Sequence, residues 1–142
     1  MASIFSRIID GELPGEFVWR DEHAVAFLSI GPVADGHTLV VPRTEVGHWL
    51  DVDATLWAHL GDVAQRIGRG VQQAFGPPRV GLMVEGFEVE HLHLHVVPLE
   101  GPRAMESRNI RHDVPAEELA AHGAAIRTAL EALGEDHGCG AS

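Results

Sequence analysis

Residues 91–97 read HLHLHVV, and this strict alternation constrains the fold more than any other feature of the chain. Successive side chains of a β-strand point to opposite faces of the sheet, so residues two positions apart share a face. A register slip of one residue would bury three imidazoles, which makes the register strongly specified. The pattern therefore predicts a strand with one imidazole face and one aliphatic face: His91, His93 and His95 against Leu92, Leu94 and Val96.

The rest of the chain predicts an α+β fold, an antiparallel β-sheet of about five strands with one long helix and one C-terminal helix. Runs rich in β-branched and aromatic residues, bounded by turn residues, mark the other strands. The predicted strands are two within residues 16–30 around a turn at 20–22, then 37–42, 79–86 and 91–97. The short link between the last two favours antiparallel neighbours.

Two stretches have the three- and four-residue apolar spacing of amphipathic helices. Asp53 is the predicted N-cap of the long helix, which the Gly-Pro-Pro at residues 76–78 ends. Asp113 is the predicted cap of the second helix, over about residues 113–134. The predicted buried positions are Leu56, Leu60, Val63, Ile67, Val71 and Ala74 in the first helix, and Leu119, Gly123, Ile126, Leu130 and Leu133 in the second.

Three glycines interrupt the long helix: Gly61, Gly68 and Gly70. Each glycine inside a helix costs about 1 kcal/mol relative to alanine. They are either a tolerated weakness or a means of packing the helix closely on the sheet.

Length and charge limit the classes of function that the chain can have. Its 142 residues predict a single domain over 1–142, with a flexible tail at 135–142 that carries the lone Cys139. The net charge of -11 disfavours a nucleic-acid partner, although a local site can still bind a small phosphorylated ligand. We find no long apolar segment near the N-terminus and no membrane-length run, so we expect no signal peptide, no membrane partner and a cytoplasmic location.

Three kinds of chemistry fit the histidine row. A metal site is one, because His91 and His93 lie roughly 6.6 Å apart along a strand and His37 offers a third ligand. His91 and His95 lie roughly 13 Å apart, so three-fold ligation would need a bent strand. A solvated polar sheet face is the second, which the strict alternation disfavours. Nucleophilic catalysis is the third, since a neutral imidazole attacks phosphorus or an acyl carbon and its neighbours can donate to the developing charge.

The motif and three further segments make the chain resemble the histidine triad (HIT) family. That family alternates three histidines with hydrophobic residues, as HLHLHVV does here, and has an upstream block like GHTLVVP at residues 36–42. IFSRIIDGELP at 4–14 resembles the family's opening strand and turn, and LDVDATLWAHL at 50–60 resembles the start of its long helix. The resemblance covers roughly residues 3–100, the motif-bearing core.

The resemblance implies a role for each of four histidines and for a set of pocket residues. His93 would attack the α-phosphorus of a nucleotide and form a nucleotidyl-histidine that water hydrolyses. His95 would contact the phosphate or assist the leaving group, His91 would position His93, and His37 would support the triad. The base and ribose pocket would be lined by Ile4, Phe5, Ile8, Ile30 and Leu39.

The resemblance further implies a hydrolase, because position 95 is histidine rather than glutamine. The stretch GFEVEH at residues 86–91 resembles a bacterial subgroup of the family. The expected substrates are adenosine phosphoramidates or dinucleoside polyphosphates. We expect a homodimer and no obligatory cofactor, with a divalent metal left open.

Several residues depart from the family pattern. Ser29 stands where many members have the aspartate that holds the ribose hydroxyls, and Phe87 and Glu88 stand where many have phosphate-binding glutamine and serine. A carboxylate beside a phosphate is unfavourable unless it is protonated or turned away. A nucleotide-binding protein with little or no turnover and a histidine-ligated metal protein therefore remain alternatives. Five histidines outside the motifs are expected at the surface: His48, His59, His112, His122 and His137.

Overall fold

A computed structural model describes residues 2–140 and contains a five-stranded antiparallel sheet with helices, as predicted. The helices are α1 (Ile4–Ile9), α2 (Ala54–Phe75) and α3 (Ala116–Ala132). The strand expected at the start of residues 4–14 is wrong: Ser3 caps a short helix there, its hydroxyl accepting from the backbone N–H of Ser6. The strands are β1 (Phe17–Arg20), β2 (Ala24–Leu28), β3 (Thr38–Pro42), β4 (Arg79–Met83) and β5 (Leu94–Leu99). Short 3-10 turns cover Trp49–Asp51 and Ser107–Asn109. The strand order is β1-β2-β3-β5-β4, with every neighbouring pair antiparallel.

The two faces of the sheet carry separate apolar clusters. On one face, alternate residues of β2, β3 and β5 pack with α2 and α3, and this larger cluster includes Val40, Leu94, Leu60 and Ile126. On the other face, the intervening residues pack beneath α1: Phe5, Val25, Phe27, Leu39 and Val41. Every residue of β2 and β3 is buried, because both strands are covered on both faces.

Helix α2 begins and ends at the predicted residues. The Asp53 carboxylate accepts a hydrogen bond of 2.8 Å from the backbone N–H of Leu56, and Gly76 ends the helix in the left-handed conformation at φ 65°. Of the predicted apolar face, four side chains are fully buried: Leu60, Val63, Ile67 and Val71. A Cβ added at Gly70 would lie 2.9 Å from Leu130 Cδ2, so the close approach is to α3 rather than to the sheet.

The C-terminal helix begins two residues later than its predicted cap implies. Pro115, not Asp113, is its N-cap, and the last helical residue is Ala132. A residue that precedes proline is sterically disfavoured in the helical conformation, so Val114 cannot extend the helix toward Asp113. Gly123, Ile126 and Leu130 are buried as predicted, whereas Leu133 is exposed.

Residues 135–140, in the predicted flexible tail, make hydrogen bonds with the rest of the protein. The His137 carbonyl accepts a hydrogen bond of 2.7 Å from the backbone N–H of Arg20, and Glu135 accepts one of 2.6 Å from Arg66 Nη1. His137 is buried rather than at the surface, and burial raises the pKa of the Cys139 thiol. Ala141 and Ser142 lie outside the described residues. Within residues 2–140, no helix has the length and apolarity that crossing a membrane requires.

The packing at Gly70 predicts opposite effects for two glycine-to-alanine substitutions in α2. At Gly61, apart from the helix's own backbone, no heavy atom of the described residues lies within 4 Å of the added methyl group. Gly61→Ala should therefore stabilise the protein by about 0.5–1 kcal/mol. Gly70→Ala should destabilise it by about 1 kcal/mol, because the overpacking penalty against Leu130 exceeds the gain in helix propensity. Urea unfolding of both variants measures the difference, and an equal effect at the two positions would contradict the packing argument.

Candidate active site

The predicted strand 91–97 is wrong at its start. β5 begins at Leu94, so only one histidine of the row lies in the sheet. The β3–β5 register pairs Val40 with Leu94, and continuing it would place Pro42 opposite Leu92. Proline has no N–H to donate to a β-ladder. Leu92 N–H instead donates to the carbonyl of Val46, at 2.7 Å, in the loop after β3.

The predicted separation of imidazoles from aliphatics holds despite this shorter strand. Leu92, Leu94 and Val96 all pack in the cluster beneath α2 and α3. His95 lies across from Leu39, whose side chain belongs to the cluster beneath α1, so His95 is on that opposite face. The row is not a solvated surface, since His91 is fully buried and His93 is 7% exposed.

Both ring nitrogens of His91 are hydrogen-bonded. Nε2 lies 2.7 Å from the carbonyl oxygen of Pro42, and Nδ1 lies 2.6 Å from the hydroxyl of Ser3. A carbonyl only accepts, so Nε2 carries the hydrogen and the neutral ring accepts from Ser3 at Nδ1. Burial lowers the pKa of His91, which favours this neutral form.

The backbone of His91 in turn fixes the tautomer of His93. His93 Nδ1 lies 2.8 Å from the carbonyl oxygen of His91 and therefore donates its hydrogen there. A neutral ring then has its lone pair on Nε2. The edge of Phe5 packs against this ring with centroids 4.9 Å apart, and the His95 ring lies at the same centroid distance.

A second chain of hydrogen bonds orients His95. The backbone N–H of Val33 donates to His37 Nδ1 at 3.1 Å, so the hydrogen of neutral His37 sits on Nε2. That nitrogen lies 2.9 Å from His95 Nδ1, which accepts and leaves the hydrogen of His95 on Nε2. Burial and the neighbouring imidazoles lower the pKa of His37 to about 3 and that of His95 to about 4. Both rings are therefore neutral at pH 7.

The arrangement places an unprotonated nitrogen next to a protonated one. His93 Nε2 has a lone pair suited to attack, and His95 Nε2 has a hydrogen suited to donation. The two rings are in edge contact. This pairing of a nucleophile with a neighbouring acid is suited to group transfer in which the leaving group needs a proton.

The other predicted binding residues fall into three groups. Phe5 and Leu39 are buried, and Ile8 is partly buried, in the cluster beneath α1. Ile4 is 45% exposed and Ile30 is 73% exposed, so neither is a core residue. Two polar positions complete the set, Ser29 and Glu88.

Ser29 and Glu88 differ in their surroundings. Ser29 N–H donates to the His37 carbonyl at 3.0 Å, and its hydroxyl accepts from Gly31 N–H at 3.2 Å. Glu88 is exposed in the segment that joins β4 to His91. A cleft lined by Glu85, His48, Trp49 and His93 lies beside the same segment.

The sequence analysis did not name several contributors to the site, among them Ser3, Val33 and Pro42. Ser3 before the apolar IFSRII is an N-cap signal, and its hydroxyl does accept from Ser6 N–H at 3.0 Å. Nothing in the sequence places that cap beside His91. Val33 and Pro42 act through backbone atoms, which no side-chain motif records.

The histidine-ligated metal hypothesis loses support from these contacts. Both nitrogens of His91 and both nitrogens of His37 are engaged in hydrogen bonds with protein partners. Elsewhere, Asp35, Glu118 and His122 have potential ligand atoms within 4.8 Å of one another. The guanidinium of Arg111 already forms ion pairs with Asp35 and Glu118, so it offsets the negative charge that would attract a metal ion.

A family model described as the HIT domain matches residues 10–101. The chain belongs to the HIT family. Protein hit from Bacillus subtilis is 34% identical over 105 residues, which are 69% of this chain and 71% of that protein. The adenosine 5'-monophosphoramidase HNT1 of Saccharomyces cerevisiae is 26% identical over 98 residues, 68% of this chain and 62% of that enzyme.

Solved structures agree with this HIT assignment. A hypothetical histidine triad nucleotide-binding protein from Sulfolobus tokodaii superposes with a TM-score of 0.81 at 32% identity, covering 91% of this chain and 92% of that one. A zinc-bound histidine triad family protein from Mycobacterium smegmatis also has a TM-score of 0.81, at 28% identity, covering 94% and 96%. The family resemblance and the fold inferred from the sequence are thus confirmed.

The low pKa values of His37 and His95 predict that acid destabilises this HIT protein. An unfolded histidine takes up a proton near pH 6.5, whereas folded His37 and His95 do so only near pH 3 and 4. The free energy of unfolding therefore falls as pH drops below about 6.5. His37→Gln removes one such group and should reduce the slope between pH 6.5 and 5 by about 1 kcal/mol per pH unit. Urea unfolding across that range measures the slope, and an unchanged slope would mean that His37 is not buried in its neutral form.

Proposed function

We propose that this HIT protein is a nucleotide-processing hydrolase that acts through a covalent nucleotidyl-histidine at His93. The observation that carries the proposal is the pairing of His93 Nε2, which has its lone pair free, with the Nε2–H of His95. Family membership supports it, because relatives include an enzyme named as an adenosine 5'-monophosphoramidase and a protein named as nucleotide-binding. The substrate classes are nucleoside phosphoramidates and dinucleoside polyphosphates.

In the first step, His93 Nε2 attacks the α-phosphorus. A P–N bond to His93 forms as the bond from phosphorus to the leaving nitrogen or oxygen breaks. For an amine leaving group, the hydrogen of His95 Nε2 passes to the leaving nitrogen, and the amine departs neutral while the His95 ring becomes anionic beside the cationic ring of nucleotidyl-His93. A phosphate leaving group departs as an anion that accepts a hydrogen bond from His95 Nε2–H. During the transfer, the Nε2–H of His37 stays hydrogen-bonded to His95 Nδ1 and holds the His95 ring in the productive orientation.

In the second step, water hydrolyses the nucleotidyl-histidine. After an amine has left, His95 Nε2 is without its hydrogen and takes a proton from water as the oxygen attacks phosphorus. After a phosphate has left, that proton passes to solvent. The P–N bond breaks, the nucleoside monophosphate leaves, and His93 and His95 return to their starting tautomers. Throughout both steps His93 Nδ1 keeps its hydrogen bond to the His91 carbonyl, at 2.8 Å in the free protein.

The nucleoside would bind on the α1 side of the sheet. Phe5 packs against the rings of His91 and His93, and the exposed Ile4 on the same helix offers apolar surface next to it. We assign Ile8, Leu39, Ile30 and Ser29 to the same nucleoside pocket. Ser29 is tied to the backbone of His37, which would bring its hydroxyl near the ribose.

Removing the proposed nucleophile should abolish turnover. His93→Ala should release no AMP from an adenosine phosphoramidate or a dinucleoside polyphosphate, while wild type does, in a chromatographic assay of product. His112→Ala is the matched control, because His112 is exposed and lies outside the motifs. Mass spectrometry of rapidly quenched wild type should find a nucleotide adduct on His93. Wild-type inactivity on both substrate classes, or full activity of His93→Ala, would rule the proposal out.

The role of His95 as an acid predicts a dependence on the leaving group. His95→Ala should reduce kcat by roughly 10²- to 10⁴-fold for an alkylamine leaving group, which needs a proton. The loss should be much smaller for a nitrophenolate leaving group, which departs without one. Steady-state kinetics with the two substrates separate these cases. Equal losses for both would show that His95 does not act as the acid.

A nucleotide-binding protein with little turnover is the second candidate. The exposed Glu88, on the segment that leads into His91, favours it, because a carboxylate near the phosphate disfavours the anionic substrate. Nucleotide affinity without product in the AMP-release assay would support it. The single domain over residues 1–142, the homodimer, the cytoplasmic location and the absence of a nucleic-acid partner stay predictions.

A further inference from the structure

The segment that carries His91 and His93 lies outside the β-ladder. β5 starts at Leu94, so the ladder that orients His95 does not include these two residues. Three hydrogen bonds hold the segment instead. Leu92 N–H donates to Val46 O, and the His91 ring bonds Pro42 O at one nitrogen and Ser3 Oγ at the other.

The Ser3 hydroxyl is the one side-chain partner in that set. It accepts from Ser6 N–H at 3.0 Å as the N-cap of α1, and donates to His91 Nδ1 at 2.6 Å. A hydroxyl has one hydrogen and two lone pairs, so both roles are satisfied together.

Glu45 holds the first turn of α1 in place. One carboxylate oxygen accepts from Ser3 N–H at 2.6 Å and from the Ser6 hydroxyl at 2.7 Å. The hydrogen bond from the Ser3 backbone, followed by that from Ser6, lowers the pKa of Glu45 to about 2, so the carboxylate is ionised at neutral pH. Glu45 follows β3 by three residues, and it therefore ties α1 to the strand that carries Leu39 and Pro42.

Loss of the Ser3 hydroxyl would release the His91 ring. Nδ1 of a fully buried imidazole would then lack a donor, which is unfavourable. The ring would rotate or exchange tautomers, and the bond to Pro42 would weaken. The His91 carbonyl would move with it, and that carbonyl is the acceptor that fixes the hydrogen of His93 on Nδ1.

We propose that Ser3 and Glu45 are positioning residues for His93, acting through the side chain and carbonyl of His91. The proposal rests on the function proposed above. The same cap places Phe5 against the rings of His91 and His93, at centroid distances of 5.8 and 4.9 Å. One hydroxyl thus orders both the nucleophile and the adjoining wall of the nucleoside pocket.

The test separates the cap function of Ser3 from its bond to His91. Glycine is nearly as good an N-cap as serine but has no hydroxyl, so Ser3→Gly removes the donor at little cost to α1. Ser3→Thr keeps a hydroxyl. Asp53→Gly is the matched control, because it removes the side-chain cap of α2 without touching the site.

Kinetics on the AMP-releasing substrate give the first readout. Ser3→Gly should lower kcat by roughly ten- to a hundredfold with little change in KM, since misplacing a reacting group weakens the transition state more than binding. Glu45→Ala should lower kcat in the same direction. Ser3→Thr should recover most of the activity, and Asp53→Gly should leave kcat unchanged. Normal kcat in Ser3→Gly, or an equal loss in Asp53→Gly, would overturn the proposal.

The ring nitrogens, observed by ¹⁵N NMR, give a second readout that needs no substrate. Wild type should show hydrogen on Nε2 of His91 and on Nδ1 of His93. Ser3→Gly should give mixed tautomers for both rings, and unchanged tautomers would overturn the positioning role. If wild type is inactive or His93→Ala keeps its activity, the proposed hydrolase fails, while the tautomers still decide whether Ser3 positions His93.

Discussion

The hydrogen bond from His93 Nδ1 to the carbonyl of His91 decides which nitrogen of the central histidine is free. A histidine has two similar nitrogens, and its chemistry depends on which of them carries the hydrogen. A backbone carbonyl can only accept, so this contact leaves no choice of tautomer. The rest of the proposed chemistry depends on that tautomer, because the lone pair of neutral His93 is then on Nε2.

Two chains of hydrogen bonds of opposite sense meet at the histidine pair. In one, the carbonyl oxygens of Pro42 and His91 accept hydrogen bonds from the rings of His91 and His93, so Nε2 of His93 carries no hydrogen. In the other, Val33 N–H donates to His37 Nδ1, and His37 Nε2–H donates to His95 Nδ1. The hydrogen of His95 is therefore on Nε2. Each chain starts at a backbone group that can only accept or only donate a hydrogen bond. Adjacent rings of the same residue type thereby acquire different chemical roles.

Much of the fold and of the histidine arrangement could be predicted from the sequence, and each wrong prediction has an identifiable physical cause. The alternation in residues 91–97 correctly separated the imidazole side from the core side, because the spacing is local. It failed at the start of the strand, since the end of the ladder depends on Pro42, a residue on another strand. The start of α3 could have been predicted, because the restriction that Pro115 imposes on Val114 is local.

The contacts that give the histidines their tautomers are long-range. Ser3 and His91 are 88 positions apart, and His37 and His95 are 58 apart. The contacts of the tail were not predicted for the same reason. Its glycine-rich sequence indicated disorder, but the carbonyl of His137 pairs with Arg20 on β1. Composition describes what a segment can do alone, whereas these bonds depend on where the fold places a distant partner.

Neutral histidines suit the proposed reaction better than charged ones. Attack on phosphorus makes the His93 ring cationic, and a protonated His37 or His95 beside it would oppose that charge. Burial keeps both neighbours neutral at pH 7. As the charge develops, the bond from His93 Nδ1–H to the His91 carbonyl becomes charge-assisted and therefore stronger. The contact that sets the tautomer in the free protein would then stabilise the transition state more than the ground state, which is the condition for catalysis.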